Sequence, residues 1–331
     1  MGQALHRGHR SRSNKKKTVI AIAATVLALA LAVGVVAFTL GRQGGNGPAS
    51  SSAGDTTPTT TAKTLPKSFI DRNTASPYVI LGDVTNSRVL YAKNADAKCY
   101  PASLTKLMTA IVAMENAPID TIITVGDEIY MIDPQSSRAY LTVGTRLTME
   151  NLLQALLLPS GNDAAYCIAV QVGRLIEGND ALDKTAALAA FCKKMNEKAT
   201  ALGCTGTHFA NPDGIDDPNH YTTAADMLKI ATCALSNETI AAVVATPSVN
   251  TTLLSGQTVN WKNSNRLIQE NGAYSYSGAT GLKTGSTDAA GYCLAASAQR
   301  EGKTCIAIVM GAKYESGRWE DASGLLDISF R

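Results

Sequence analysis

The chain contains no H-E-x-x-H, no C-x-x-C and no other clustered metal-ligand spacing, so neither a metal nor any other cofactor is expected. It also lacks a G-x-S-x-G elbow, the sequence sign of an α/β-hydrolase. Histidines number four, and only His208 and His220 lie outside the first ten residues. These two flank Asp213, Asp216 and Asp217 in a turn-rich stretch that reads as a loop, which leaves a Ser-His-Asp hydrolase little to build on. No repeat recurs at a spacing of 20 to 50 residues, which excludes solenoids and propellers. Acidic residues are missing from positions 1 to 17, although that segment carries Arg7, Arg10, Arg12, Lys15, Lys16 and Lys17.

That asymmetry accounts for the positive sign of the whole chain. Removing six basic residues from the total of 30 leaves 24 Lys and Arg against 27 Asp and Glu, or −3, so no nucleic-acid footprint is expected. The basic tail precedes an uncharged run from Thr18 to Leu40. As a helix these 23 residues would reach about 35 Å, enough to cross a hydrocarbon core of roughly 30 Å. The positive-inside rule then predicts a single-pass membrane anchor with a cytoplasmic tail at 1–17, a span at 18–40 and an extracytoplasmic body. A cleaved signal peptide is the rival: Ala30-Leu31-Ala32 resembles a cleavage site, but cutting there would leave Val33 to Leu40 as an exposed apolar stub. Residues 41–75, rich in Gly, Ser, Thr and Pro, read as a flexible linker. Residues 76–331 are left as one folded body, and with 331 residues at 45% hydrophobic content there is ample material for a core. Seven cysteines sit mostly among apolar neighbours, as in Tyr166-Cys167-Ile168, and are read as buried free thiols.

Within the body the hydrophobic period changes twice. Tyr78–Val84 and Arg88–Ala92 flank Thr85-Asn86-Ser87 and predict a hairpin. Leu104, Leu107, Met108, Ile111, Val112 and Met114 then repeat at helical spacing, predicting a buried helix from near Ser103 to before Pro118. Further helices are expected over 148–158 with Thr148 as cap, from Asn162 or Asp163 to Ile176, over 186–202 and over 223–236. Strands return at 278–286, 291–299 and 303–311, and a last helix is expected over 318–330. Strands at both ends with helices between them argue for an α+β domain whose sheet uses both ends of the chain.

Three short strings carry the chemistry. Ser103 and Lys106, three apart at a helix start, lie about one turn apart on one face, where an amine can take a hydroxyl proton. Ser160-Gly161-Asn162 sits at a helix break, and Lys283-Thr284-Gly285 closes a strand-like segment. There the lysine adds charge, the threonine can bond a carboxylate, and the glycine lets a ligand backbone approach. Single matches mean little, since Ser13 with Lys16 and Ser248 with Asn250 fit the first two patterns equally well. To act as a base Lys106 must be neutral, whereas an unperturbed lysine titrates at about 10.4. Burial is expected to lower that value, with Lys283 as a second cation adding to the effect.

With these strings in order, the chain resembles the low-molecular-mass penicillin-binding proteins, specifically the serine D-alanyl-D-alanine carboxypeptidases. The likeness runs from about Ser76 to Phe330 and includes Pro101–Lys106, Leu158–Ala165, Asn211-Pro212-Asp213-Gly214 with His220-Tyr221, and Gly281–Gly285 with Ala290-Gly291-Tyr292. It implies a transpeptidase-like domain of penicillin-binding-protein and β-lactamase type, an antiparallel sheet flanked by helices. It further implies that Ser103 attacks the terminal D-Ala-D-Ala bond of a peptidoglycan stem peptide with Lys106 as base. Ser160 and Lys283 would relay the proton to the departing D-alanine, Asn162 would position the peptide, and Thr284 and Arg318 would hold its carboxylate. Gly285 would line the strand beside the substrate, and backbone N–H groups of Ser103 and Ser286 would hold the oxyanion. β-Lactam antibiotics would acylate the same serine.

Two positions depart from the family pattern: Ser286 stands where histidine is frequent, and Ala225 where many relatives have arginine before Asp-Met. The first is expected to adjust rates, while the second puts ligand contact and deacylation in doubt. Many relatives also continue into a β-rich domain and a C-terminal amphipathic helix, whose anchoring role the 18–40 segment would assume here. A β-lactamase would need an E-x-x-L-N segment between the second and third strings, and none is present. A catalytically silent wall-binding protein of the same fold is the remaining alternative, opposed by the intact set of motif residues.

Overall fold

The structure, a computed structural model, describes residues 74–331. The basic tail, the 18–40 span and all but the last two residues of the 41–75 linker lie outside the described residues. Among the described residues no single helix is long and apolar enough to cross a membrane.

A five-stranded antiparallel sheet organises the body. Strands β1 (Tyr78–Asp83) and β2 (Arg88–Lys93) form the N-terminal hairpin, and β7 (Ala279–Thr287), β8 (Gly291–Arg300) and β9 (Lys303–Ala312) form the C-terminal meander. Their order is β2-β1-β9-β8-β7, so the first and last strands of the chain pair in the middle, Val79 opposite Val309 and Leu81 opposite Ala307. The two-residue side-chain period then sends alternate residues to opposite faces. Val79, Leu81, Ala307 and Val309 pack with Trp319, Leu325 and Leu326 of the C-terminal helix α7 (Glu315–Ser329). Ile80, Ile306 and Ile308 face a larger core built from the helices of the middle of the chain. Both faces are covered, which is why β8 and β9 are buried almost without interruption.

The helical side comprises α1 (Lys106–Asn116), α2 (Met149–Leu157), α3 (Asn162–Glu177), α4 (Lys184–Ala201), α5 (Ala224–Ser236) and α6 (Glu238–Ala245). Two small hairpins, β3 (Ile122–Thr124) with β4 (Arg146–Thr148) and β5 (Ser248–Thr252) with β6 (Thr258–Lys262), complete it. The amphipathic helices expected from periodicity are present within a few residues. Thr148, Asp183 and Thr223 each accept a backbone N–H from the first turn of α2, α4 and α5, as capping residues do.

Three details differ from the sequence reading. The first helix begins as a 3₁₀ turn, Ala102–Thr105, and becomes α-helical only at Lys106. Neither Asn162 nor Asp163 caps α3; the N-cap is Gly161, because both side chains are committed to tertiary bonds described below. Helix α6 and the two small hairpins have no counterpart in the sequence reading, being too short for a periodic signal. All seven cysteines are free thiols and five are buried, as their apolar neighbours indicated.

Candidate active site

Helix α1 is buried on every side from Lys106 to Ala113, an uncommon setting for a lysine. The Lys106 side chain has no exposed surface, and its Nζ lies 2.8 Å from Ser103 Oγ, 2.7 Å from Asn162 Oδ1 and 2.8 Å from the carbonyl oxygen of Asp213. Three acceptors use all three ammonium donors. The 3₁₀ turn is what makes the first contact, presenting the half-buried Ser103 at the mouth of a cavity while Lys106 points beneath it. A second chain of bonds fixes that turn: His220 Nδ1 accepts from the Ala210 N–H, so Nε2–H donates to Thr105 Oγ1, which in turn donates to the Ala102 carbonyl. His220 is fully buried and lowered to about 4 by that burial, which keeps it neutral. It serves the architecture of the turn and is bonded to Thr105, not to Ser103.

Ser160 occupies the left-handed region at φ 66° where α2 passes into α3. Only local over-determination holds a non-glycine residue there. Its carbonyl accepts from Ser137 Oγ at 2.6 Å, and the Ser137 carbonyl accepts from the Asn162 N–H at 2.8 Å. Asp163, next in the chain, is buried and takes the N–H groups of Ala139, Leu141 and Ala164. Together these bonds staple the 133–141 loop onto the start of α3. Sequence reading gave Ser137 no role and Asp163 only that of a possible helix cap, because a loop serine and a polar residue at a helix start carry no local sign of their tertiary partners.

Strand β7 forms the opposite wall. As the edge strand of the sheet it has no strand neighbour on its outer side, the geometry that accepts an extended peptide as an added strand. A Cβ on Gly285 would lie 2.9 Å from the Ser103 nitrogen, so only glycine lets β7 pass this close to the serine. Thr284 Oγ1 is 2.6 Å from Ser264 Oγ, a second rim hydroxyl that carried no sequence signal. Arg318, in the first turn of α7, donates to the Gly285 carbonyl at 3.2 Å and to Glu315 at 3.0 Å, while its Nε–H is buried without a partner.

These walls enclose a cavity of about 590 Å³, lined by Ser103, Ser160, Asn162, Thr284, Gly285, Ser286 and Arg318 among others. Seven of the nine residues named from sequence therefore face one space, and the two lysines lie beneath it, Lys283 being 1% exposed. Asn162 is tied to Lys106 as well as lining the cavity, so it holds the amine in addition to any ligand contact. Lys283 donates to the Thr284 carbonyl at 2.9 Å; no direct bond to Ser160 is present among the described residues. Ala225 packs against the helical core and is not part of the cavity wall.

Position singles out Lys106, the amine in hydrogen-bond contact with Ser103, and burial tunes its basicity. Burial lowers Lys106 from 10.5 to about 8, opposed by the carboxylates of Asp213 and Asp163. Burial first, then the charges of Lys106 and Arg318, push Lys283 well below the usual lysine range. Repulsion between two buried ammonium groups is mutual, so protonation of either amine disfavours protonation of the other. A buried amine, partly neutral near pH 8 and in hydrogen-bond contact with an accessible hydroxyl, can abstract its proton and make the oxygen nucleophilic.

Comparison with known proteins places this arrangement. A family model described as D-alanyl-D-alanine carboxypeptidase matches residues 61–314. A D-alanyl-D-alanine carboxypeptidase of Streptomyces sp. strain K15 is 38% identical over 250 residues, 73% of this chain and 82% of that protein. The carboxypeptidase DacF of Bacillus subtilis strain 168 is 32% identical over 255 residues, 76% of this chain and 61% of DacF. The crystal structure of the Streptomyces K15 DD-transpeptidase superposes with a TM-score of 0.70 at 35% identity, covering 78% of this chain and 97% of that one. With the family model spanning more than half of its length and the fold shared with a solved relative, the chain belongs to the D-alanyl-D-alanine carboxypeptidase family of serine peptidases.

Proposed function

We propose that this protein removes the terminal D-alanine from peptidoglycan stem peptides through an acyl-enzyme on Ser103, and that penicillins acylate the same oxygen. The contact of 2.8 Å between Lys106 Nζ and Ser103 Oγ, beside a cavity walled by the edge strand of the sheet, carries this reading. An extended D-Ala-D-Ala terminus pairs with β7, its scissile carbonyl above Ser103. Lys106 takes the hydroxyl proton as the Ser103 oxygen attacks, and the backbone N–H groups of Ser103 and Ser286 receive the oxyanion. The proton then passes to the leaving amine through Ser160 and Lys283, whose depressed basicity suits an amine that releases what it receives. Water hydrolyses the resulting ester.

The substrate carboxylate is assigned to Thr284 and Arg318. Arg318 is nine-tenths buried and keeps an unpartnered Nε–H, which supports a positive group waiting for an anion. Arg318→Ala is expected to raise KM for a pentapeptide about 10- to 100-fold, the worth of one or two charge-assisted hydrogen bonds, with a smaller change in kcat. Steady-state D-alanine release reads both quantities, and an unchanged KM would move the carboxylate elsewhere.

Family membership places the work at the cell wall. The finer reading, residues 18–40 as a membrane anchor holding the 76–331 body outside the cell on the 41–75 linker, is supported by the basic tail and the apolar run. The function as a whole is tested by incubating the full chain with a fluorescent penicillin and mapping the adduct by peptide mass spectrometry. The adduct is expected on Ser103, alongside release of D-alanine from a defined pentapeptide. An adduct on another residue would reject the assignment.

A further inference from the structure

The mechanism leaves one buried acid beside the reacting groups without a task. Asp213 belongs to Asn211-Pro212-Asp213-Gly214, a turn held by its own asparagine, whose Oδ1 accepts from the Gly214 N–H while its Nδ2 donates to the Ile215 carbonyl. The turn is pressed onto the start of α1. Thr109 Oγ1 donates to the Pro212 carbonyl at 2.6 Å, Lys106 donates to the Asp213 carbonyl at 2.8 Å, and Gly214 packs against the Ala102 carbonyl.

The side chain of Asp213 is 1% exposed, yet it is poorly bonded. Oδ1 accepts a single long bond from the Ile215 N–H at 3.3 Å, and Oδ2 has no partner. Asp163, the other buried acid acting on Lys106, takes three backbone N–H groups and is satisfied by the loop it anchors. A carboxylate without such donors is costly in the interior unless a nearby cation offsets it. Burial raises the Asp213 carboxyl above the usual carboxylate range, and the charge of Lys106 on α1 is the largest influence opposing that rise and favouring the carboxylate. The other titratable groups in its field, Tyr166 on α3 and Cys192 on α4, are pushed upward by burial and by Asp213 itself and stay neutral at working pH. Across the cavity Lys283 lies in the field of Lys106 and Arg318, and His220 is neutral.

Resting on the carboxypeptidase reading, we propose that Asp213 is a positioning residue for acylation: its main-chain carbonyl aims the Lys106 amine at Ser103, and its buried carboxylate stabilises the charge that amine acquires when it takes the serine proton. The carboxylate therefore does two opposed things. It makes Lys106 harder to deprotonate at rest, and it lowers the energy of the ammonium that forms as Ser103 attacks. Removing the charge while keeping the shape should separate them.

The experiment compares the full chain with its Asp213→Asn variant, following the second-order acylation rate by a fluorescent penicillin from pH 5 to 10. The acid limb of the profile is expected to move to lower pH by about one unit or more, while the alkaline plateau drops about tenfold. A purely architectural role would lower the plateau and leave the limb in place, and that result would overturn the proposal. Should the variant not fold, the unaltered protein decides: with 13C-labelled aspartate, the Asp213 carboxyl resonance is expected to respond across the pH range in which Lys106 titrates, and a silent resonance would equally overturn it. Failure of penicillin to acylate the unaltered protein would instead remove the underlying carboxypeptidase reading.

Discussion

Lys106→Gln is expected to slow acylation of Ser103 by about 10³-fold, within the range that general-base catalysis contributes. Glutamine keeps a donor for the surrounding acceptors but cannot accept the hydroxyl proton. In the unaltered protein the active form is the neutral amine, so the acylation rate is expected to rise with pH through about 8 and to fall close to tenfold per unit below it. Stopped-flow acylation measured against pH checks both statements. A flat profile down to about pH 5, with acylation rate-limiting, would contradict a lysine base.

The same shift bears on stability, and its sign separates loss of the base from loss of the fold. The folded-state value of Lys106 lies below its unfolded value of 10.5, so between about 8 and 10.5 the unfolded chain binds more protons and stability rises with pH. Below about pH 8 the buried amine costs the fold on the order of 3 kcal/mol, a penalty that glutamine does not carry. The thermal midpoint of Lys106→Gln at neutral pH is therefore expected to hold or rise while activity collapses.

Gly214→Ala is expected to be the most damaging single methyl group in the molecule's active region. The residue sits at φ 95°, and an added Cβ would lie 1.9 Å from the Ala102 carbonyl oxygen and 2.9 Å from the Ser103 nitrogen. Both neighbours are backbone, so the 211–214 turn or the Ser103 turn must move. Left-handed strain of about 1–2 kcal/mol adds to overpacking of about 1–3 kcal/mol, for a loss of about 3 kcal/mol. Acylation should fall as well, since the displaced atoms include the Ser103 backbone. Gly256→Ala supplies the control: its φ of 86° carries the same strain but nothing lies within 4 Å of the added methyl, so about 1 kcal/mol is expected. Chemical denaturation of both variants measures the difference, and equal losses would refute the contact argument.

Much of the architecture was legible because it rests on local periodicity. The continuous apolar runs of Val79 to Leu81 and Ile306 to Met310 announced strands, and the spacing from Leu104 to Met114 announced a buried helix. Helix α6 and the β5–β6 hairpin escaped because eight or fewer residues hold too few turns or alternations to stand out. The site was legible for a different reason. Ser103 and Lys106 are neighbours on one helix turn, and the other two strings gained meaning only through their order and the family resemblance.

What the linear chain could not carry were properties created by distant segments meeting. The amino-acid order by itself determined the α+β class, the helix carrying serine and lysine, and the set of residues available for acyl transfer. Tertiary packing alone decided that Lys106 loses every exposed atom, that it is gripped by Asn162 and Asp213 from 56 and 107 residues away, and that burial and two neighbouring cations depress the basicity of Lys283. Basicity depends on how much water and which charges surround an amine, and those are fixed by the fold in three dimensions, not by neighbours along the chain.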